Sequence, residues 1–265
     1  MNYNLSVKRF FFFLFFLLCL FGAFYLYDAF FKKEPLPLPL EKNQTVADDF
    51  KKGMKKISFA GQDFLFLSQK IDSPGQLQLW PNFDGKASSA DLFKNYRCRF
   101  LINGGFYDQQ NQPLGWFLSQ EKLRHPQIKS ALLNGFFFQN QQKEIGLEDV
   151  LPVNEVVWGL QTGPILIFKG KPLKLQMAKD ERARRMVVAL GQSEELLFLA
   201  VTGPDSLASG PLLADLPFIA EKIGQALRVD FKTAINLDGG TASAFLNSEK
   251  TIKEYNSIGS FFCLN

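Results

Sequence analysis

The stretch PLLADLPFIAEKIGQALRVDFKTAINLDGG, residues 211–240, decides the fold class because it sets a helix directly before a buried strand. Apolar residues recur three and four positions apart between Leu216 and Leu227. This spacing predicts an amphipathic helix over 211–229. The following apolar run, 234–237, predicts a buried strand that ends in an Asp-Gly-Gly turn.

Before this helix, the chain consists mainly of short apolar runs broken by turns. Each run predicts a strand, and the last two are joined as a hairpin. The predicted strands cover residues 63–67, 76–80, 99–102, 114–118, 131–138, 156–160, 165–168, 186–190 and 196–201. Many strands with one or two packed amphipathic helices indicate an α+β domain with a mixed, strand-rich sheet.

The N-terminus has a different composition from the rest of the chain. An almost uninterrupted apolar run extends from Phe10 to Tyr27, which is long enough for a helix to cross a bilayer. We therefore predict an uncleaved signal anchor over residues 1–33, with a cleaved signal peptide as the alternative. Alternating prolines predict a semi-rigid spacer over 34–50, and the folded domain is expected to cover 51–265.

The predicted anchor also suggests where the protein resides. A short N-terminal tail favours an orientation that places the body outside the cytoplasm, on the periplasmic side of the inner membrane in a Gram-negative cell. Cleavage of the segment would make the protein secreted. Cys98 and Cys263 lie in the body, where they could pair in an oxidising compartment or remain as buried thiols, and both readings stay open.

Charge and composition argue against several classes of protein. The formal net charge is only +4. The sequence has no basic stripe with interleaved aromatic residues, so nucleic-acid binding is not predicted. The single histidine, His125, excludes a metal cluster built from histidines and makes a Ser-His-Asp triad depend on one residue. No cofactor is expected, although Asp238 with backbone carbonyls could hold a divalent cation.

Three turns share one design, in which an apolar strand runs into a glycine-containing turn with a polar residue at the strand end. Paired glycines allow a ligand to approach the backbone closely, and free amides can form a nest for phosphate oxygens. Taken singly, each motif is more often an ordinary turn. The three are Asn103-Gly104-Gly105-Phe106, Thr162-Gly163-Pro164 and Asn236-Leu237-Asp238-Gly239-Gly240.

A basic run of Arg182, Arg184 and Arg185 comes immediately before the predicted strand 186–190. Such a run is usually a solvated cluster of charges. The functional reading is that one arginine points inward and pairs with a phosphodiester, for which the planar guanidinium is suited. The run alone does not decide between these readings.

Together and in this order, the four motifs resemble the signatures of the phosphodiester glycosidase family. The resemblance spans about residues 100–245. The turn from Asn103 to Tyr107, followed by Pro-Leu-Gly, resembles the first signature, and the turn at Thr162 resembles the second. Arg185 before Val-Val-Ala resembles the third, and the Asp-Gly-Gly turn with Ser243 after it resembles the fourth.

The resemblance implies a hydrolase that cleaves the bond between the anomeric carbon of a sugar and a phosphodiester. Asp238 would activate water or stabilise an oxocarbenium-like centre, while Arg185, or its neighbour Arg184, would hold the phosphodiester together with glycine amides. A second carboxylate could be Asp108, Asp180 or Glu181. The expected substrate-binding residues are Asn103, Gly104, Gly105, Phe106, Tyr107, Thr162, Gly163, Arg184, Asn236, Gly239, Gly240 and Ser243.

Two other functions would use the same residues. One is a non-catalytic module that binds a glycan or takes part in exopolysaccharide assembly in the cell envelope. The other is a phosphodiesterase that breaks the P–O bond and leaves the C–O bond intact. A buried, pKa-shifted Asp238 that faces the same cleft as an arginine would favour an enzyme over the binding module, because binding alone does not require it.

Overall fold

The computed structural model describes residues 53–151 and 155–265. The signal anchor and the proline-containing spacer lie outside the described residues, so both stay predictions. Within the described ranges, no helix combines the length and the apolar character that a membrane span requires.

The described residues form 17 strands and two α-helices, numbered here in chain order, with short 3-10 turns at 74–76 and 240–242. The strands are β1 (Lys55–Phe59), β2 (Gln62–Ile71), β3 (Leu77–Pro81), β4 (Phe100–Asn103), β5 (Phe117–Ser119), β6 (Lys122–His125), β7 (Gly135–Asn140), β8 (Ile145–Glu148), β9 (Val156–Thr162), β10 (Ile165–Phe168), β11 (Lys171–Pro172), β12 (Arg185–Gly191), β13 (Leu196–Thr202), β14 (Phe231–Asn236), β15 (Phe245–Asn247), β16 (Thr251–Ile252) and β17 (Ser260–Leu264). The helices are α1 (Ser89–Asn95) and α2 (Leu216–Leu227).

These strands make three sheets. The largest has seven strands in the order β1-β2-β13-β12-β14-β10-β11, and two five-stranded sheets have the orders β16-β15-β4-β17-β3 and β6-β5-β9-β7-β8. Each neighbouring pair in these orders is antiparallel. The α+β class, dominated by strands, is therefore confirmed. The prediction of a mixed sheet is wrong, because hairpins and long returns connect strands that run in opposite directions.

Both faces of the seven-stranded sheet are buried, which explains why β12 reads as a continuous apolar run. Met186 and Val188 point into the core between the sheets, whereas Val187 and Ala189 point into the core beneath α2. A fully buried aliphatic side chain of this size contributes about 1.5–3 kcal/mol. The sheet is therefore a rigid support for whatever its strand ends carry.

Helix α2 is shorter than the periodicity predicts, because it begins at Leu216 and not at residue 211. Pro217 occupies the first turn, as is common at helix starts. The residues before it form a loop, in which the backbone amides of Leu213 and Ala214 donate to the carboxylate of Asp180 at 2.9 and 2.8 Å. These amides are therefore held by a side chain from another loop.

A disulfide resolves the alternatives for the two body cysteines. Cys98 and Cys263 are bonded, with a Cα–Cα distance of 5.4 Å. Cys98 lies just before β4 and Cys263 lies on β17, and these two strands are paired neighbours in one sheet. The bond therefore joins the middle of the chain to its last strand.

Candidate active site

Strand ends from all three sheets meet at one place in the fold. Asn103, Thr162 and Asn236 are the last residues of β4, β9 and β14, while Arg185 and Ser260 are the first residues of β12 and β17. Two hydrogen bonds tie these ends together: Asn103 Nδ2 donates to the carbonyl of Asp238 at 2.7 Å, and Thr162 Oγ1 donates to the carbonyl of Asn236 at 2.9 Å. The motifs are thus far apart in sequence but adjacent in space.

A pocket of about 370 Å³ opens beside these strand ends. Half of its lining residues come from the predicted site. These are Phe106, Gly163, Arg185, Asn236, Asp238, Gly239 and Gly240. Asp238 and Arg185 therefore face the same pocket, which is the arrangement that the sequence analysis required of an enzyme.

Asp238 lies just beyond the end of β14, with its backbone amide donating to the carbonyl of Gly104 at 3.1 Å. Burial of the carboxyl raises its pKa from 3.8 to about 8, and the backbone amide of Gly239 opposes this only in part. At neutral pH the group is therefore mostly protonated, so it can donate a hydrogen bond or a proton.

Arg185 is half-buried and lines the pocket. Its Nε donates to the carbonyl of Pro211 at 3.1 Å and its Nη2 to that of Glu181 at 2.6 Å. Nη2 also lies 3.4 Å from Oδ1 of Asp180. Burial lowers the pKa of Arg185 and the charge of Asp180 opposes this effect, so the guanidinium remains a fixed positive charge in the pocket wall.

Arg184 has a different environment from its neighbour, since it is only 1% exposed. Its Nε donates to Oγ of Ser243 at 2.8 Å, and its Nη2 donates to the carbonyls of Ser243 and Lys253 at 2.7 and 3.1 Å. Burial lowers its pKa to about 10, so it is charged at neutral pH. Arg184 thus fixes the turn that follows Asp238, and the structure directs Arg185 to the pocket.

With this geometry established, comparison with known proteins identifies the family. A family model described as phosphodiester glycosidase matches residues 96–260. The chain belongs to the phosphodiester glycosidase family. All four motifs of the sequence analysis lie inside the matched residues.

Two solved structures show how the family fold relates to this chain. The catalytic domain of zebrafish N-acetylglucosamine-1-phosphodiester alpha-N-acetylglucosaminidase, auto-inhibited by its pro-peptide, is 16% identical with a TM-score of 0.62, and the match covers 80% of this chain and 81% of that one. A hypothetical protein from Synechocystis is 13% identical with a TM-score of 0.55, and the match covers 79% of this chain and 61% of that one. Among functionally curated proteins, none matches significantly. At these identities the similarity shows a shared fold.

Several of the remaining predicted residues lie next to the pocket-lining turns without lining the pocket themselves. Asn103 Oδ1 accepts from the amide of Ala244 at 3.0 Å, and Thr162 and Ser243 are fully buried. Tyr107 donates from its hydroxyl to the carbonyl of Ser257. Burial raises the pKa of Tyr107, and the charge of Asp238 raises it further, which indicates that the two side chains are close. These residues position the turns.

Two of the glycine amides that the sequence analysis considered for a phosphate nest are already hydrogen-bonded within the protein. The amide of Gly104 donates to the carbonyl of Ser260, and the amide of Gly240 donates to that of Arg184, both at 2.8 Å. A Cβ at Gly239 would come within 2.6 Å of the same Arg184 carbonyl. These glycines allow the backbone segments to pack closely.

Asn236 holds the pocket edge through its amide group. Its Nδ2 donates to the carbonyl of Gly163 at 2.9 Å, which fixes the orientation of the amide, since the flipped form would place two oxygens together. Among the described residues, its Oδ1 is buried without a hydrogen-bond partner. An unpaired acceptor beside a pocket suits a hydroxyl donor of a ligand.

The three candidates for a second carboxylate differ in position. Asp108 is half-buried, does not line the pocket and accepts from the amide of Gln112 at 2.8 Å. Asp180 and Glu181 both line the pocket, but both oxygens of Asp180 already accept backbone amides. Within the described ranges, no group of three or more His, Cys, Asp or Glu side chains could hold a metal ion.

Sequence reasoning missed several residues of the pocket wall. They share a position on irregular loops, where no periodicity or glycine motif marks them. They are Leu132, Met177, Lys179, Ala183 and Leu213. No pattern in a single sequence would have found them, because loops acquire their position from the elements that they connect.

Proposed function

We propose that this protein is a hydrolase that cleaves the bond between the anomeric carbon of a sugar and a phosphodiester. The observation that carries the proposal is that Asp238, with its pKa raised to about 8, and Arg185 line the same pocket. A module that only binds glycans has no need for a buried acid of this kind. Membership of the phosphodiester glycosidase family supports the same conclusion.

In the proposed reaction, Arg185 binds the charged phosphodiester and stabilises the charge that develops on the leaving group. Asp238 donates its proton to the leaving phosphate oxygen as the C–O bond breaks. Water adds to the anomeric carbon and its proton passes to the Asp238 carboxylate, directly or through solvent, which restores the acid. The products are the free sugar and a phosphate monoester. The raised pKa changes the role expected from the sequence, because a protonated acid donates and does not activate water.

The other pocket residues would orient the sugar. Phe106 offers an aromatic face of the kind that packs against the apolar face of a sugar ring. Asn236, whose Nδ2 donates to the carbonyl of Gly163, would hold the pocket edge against which the sugar lies.

We further propose that the protein acts on an envelope or extracellular glycan while anchored to the membrane by residues 1–33. The apolar run from Phe10 to Tyr27 supports the anchor. The Cys98–Cys263 disulfide supports an oxidising compartment outside the cytoplasm.

The test is turnover of a panel of sugar-1-phosphodiesters by the full chain, with release of free sugar as the readout. We expect Asp238→Asn to lower kcat by about 100-fold or more. Arg185→Ala should lower kcat/KM by a similar factor, because it removes charge stabilisation. Asp72→Asn is the matched control, since Asp72 is exposed and follows the end of β2 that lies away from the pocket. Full activity of Asp238→Asn would refute the mechanism.

Labelled water separates this reaction from cleavage of the P–O bond. Hydrolysis in ¹⁸O water should place the label on the sugar, because water attacks the anomeric carbon. Label in the phosphate would instead identify a phosphodiesterase that uses the same pocket. Binding of the diesters without any turnover would favour the glycan-binding module.

A further inference from the structure

Asp180 connects three parts of the pocket wall. Its two carboxylate oxygens accept the backbone amides of Leu213 and Ala214, which fixes the loop before α2. Oδ1 also lies 3.4 Å from Nη2 of Arg185, and the side chains of both residues are only 13% exposed. The carboxylate is therefore held in place beside the cation to which we assign the phosphate.

The charges around the pocket balance closely. Five ionisable residues line the pocket: Lys179, Asp180, Glu181, Arg185 and Asp238. Since Asp238 is mostly protonated at neutral pH, two positive charges face two negative ones. Lys179 and Glu181 are exposed, so solvent and salt screen their effects. The half-buried pair of Arg185 and Asp180 is screened less, and it dominates the field that a bound phosphate experiences.

We propose that Asp180 makes the pocket selective for a phosphodiester with one negative charge over a phosphate monoester with two. The proposal rests on the proposed function and refines its substrate class. Arg185 attracts either anion, but the second charge of a monoester adds repulsion from Asp180. A phosphate monoester carries about 1.5 to 2 negative charges at neutral pH, whereas a diester carries one.

This selectivity also affects the end of the reaction. Cleavage of the C–O bond converts a diester into a monoester, which loses a further proton when it reaches neutral solvent. Once the released product is a dianion, Asp180 repels it, so it rebinds poorly and competes weakly with new substrate. An arginine without this partner would retain the product through an unopposed charge.

The test compares two small probes, dimethyl phosphate as the monoanion and methyl phosphate as the dianion, at about pH 7.5. Their dissociation constants are measured by calorimetry with the full chain in detergent. We expect the wild type to bind dimethyl phosphate more tightly. Asp180→Asn should tighten methyl phosphate about tenfold relative to dimethyl phosphate, because it removes the repulsion. Tighter binding of methyl phosphate by the wild type would overturn the proposal without any variant.

Two further variants separate charge from structure. A purely structural role for Asp180 predicts that Asp180→Asn weakens both probes equally, which would refute the proposal. Asp180→Glu keeps the charge and should keep the preference for the diester. Glu181→Gln removes a charge from an exposed neighbour, and we expect less than about a twofold change in the ratio. If Glu181→Gln changes the binding ratio as much as Asp180→Asn does, the Asp180–Arg185 pair is not the cause of the selectivity.

The binding ratio is independent of turnover, so the two proposals can fail separately. An unchanged ratio in an active enzyme refutes the role of Asp180 and leaves the glycosidase intact. A shifted ratio in a protein that hydrolyses none of the diesters supports the anion preference and refutes the proposed reaction.

Discussion

At the scale of single residues, Arg184 and Arg185 are adjacent in sequence but lie in different environments. Successive side chains at a strand start point to opposite sides, so Arg184 turns into the protein and Arg185 turns to the pocket. The sequence could not say which arginine matches the family signature, since both have the same chemistry and differ by one position. Their burial distinguishes the two arginines. Arg184 is 1% exposed, and its guanidinium donates hydrogen bonds to Ser243 and Lys253.

This difference predicts opposite effects for the same substitution. Arg184→Lys should lower the free energy of unfolding by about 2–4 kcal/mol, because a lysine cannot replace several forked contacts to buried carbonyls. Arg185→Lys should lower kcat/KM with a smaller loss of stability. Chemical denaturation and steady-state kinetics on both variants measure the contrast. Equal loss of stability in the two would contradict the assignment.

Asp238 should make stability depend on pH. The folded protein binds this proton more tightly than the unfolded chain, because the pKa rises from 3.8 to about 8. Its contribution is fully present below about pH 4 and is lost as the pH rises through about 8. Asp238→Asn should remove this dependence, which amounts to about 1.4 kcal/mol for each pH unit between the two pKa values. Urea denaturation of both proteins across this range tests it, and parallel curves would show that the carboxyl is not buried in the folded state.

At the scale of elements, the clearest departure from the sequence lies at the start of α2. The apolar spacing extends the helix back to residue 211, but the helix begins at Leu216. The amides of Leu213 and Ala214 are held by Asp180, and Pro217 sets the first turn. A carboxylate that arrives from a loop some thirty residues earlier cannot be recognised from local periodicity.

The strands that could be predicted are the ones with their own turn signals. Ile165–Phe168 has the predicted bounds, and β12 and β13 form the predicted hairpin. The sequence analysis missed the short strands after residue 244 and helix α1, because each is only two to seven residues long. They exist because neighbours pair with them, as β17 pairs with both β3 and β4.

The turn between β9 and β10 has no space for a side chain at Gly163. Its φ of +155° is unfavourable for other residues, and an added Cβ would overlap the carbonyl of Leu132. Gly163→Ala should therefore cost about 2 kcal/mol or more and displace the turn that borders the pocket. Thermal unfolding and KM measure the two effects. Gly61→Ala is the comparison: φ there is also positive, +74°, but no atom lies within 4 Å of the added Cβ, so the smaller loss should reflect the backbone alone.

At the scale of the whole molecule, the Cys98–Cys263 disulfide closes a loop across most of the domain. The two residues are 165 positions apart, and the chain-entropy model gives about 4–5 kcal/mol for a loop of this size. Cys98→Ser with Cys263→Ser should lower the Tm, and reductant should lower the Tm of the wild type but not of the variant. An unchanged Tm of the wild type in reductant, with reduction verified by thiol counting, would contradict a stabilising role of the disulfide.

The sequence predicts the residues on the turns of the candidate site but not the other residues that line the pocket. Asn103, Thr162, Asn236 and Asp238 lie on glycine motifs that a single sequence displays, and they do meet in space. Leu132 and Met177 line the same pocket from loops with no motif at all. Local patterns therefore locate the residues at strand ends, whereas the cavity depends on how three sheets are joined.

The convergence of strand ends from three sheets has a consequence for refolding. No hairpin or sheet contains the pocket alone, so activity cannot return until long-range pairings such as that of β17 with β4 are complete. After dilution from denaturant, far-ultraviolet circular dichroism should recover first as local hairpins form, and turnover should lag behind it. The catalytic assay would then report the final assembly step, which spectroscopic probes of individual hairpins do not detect.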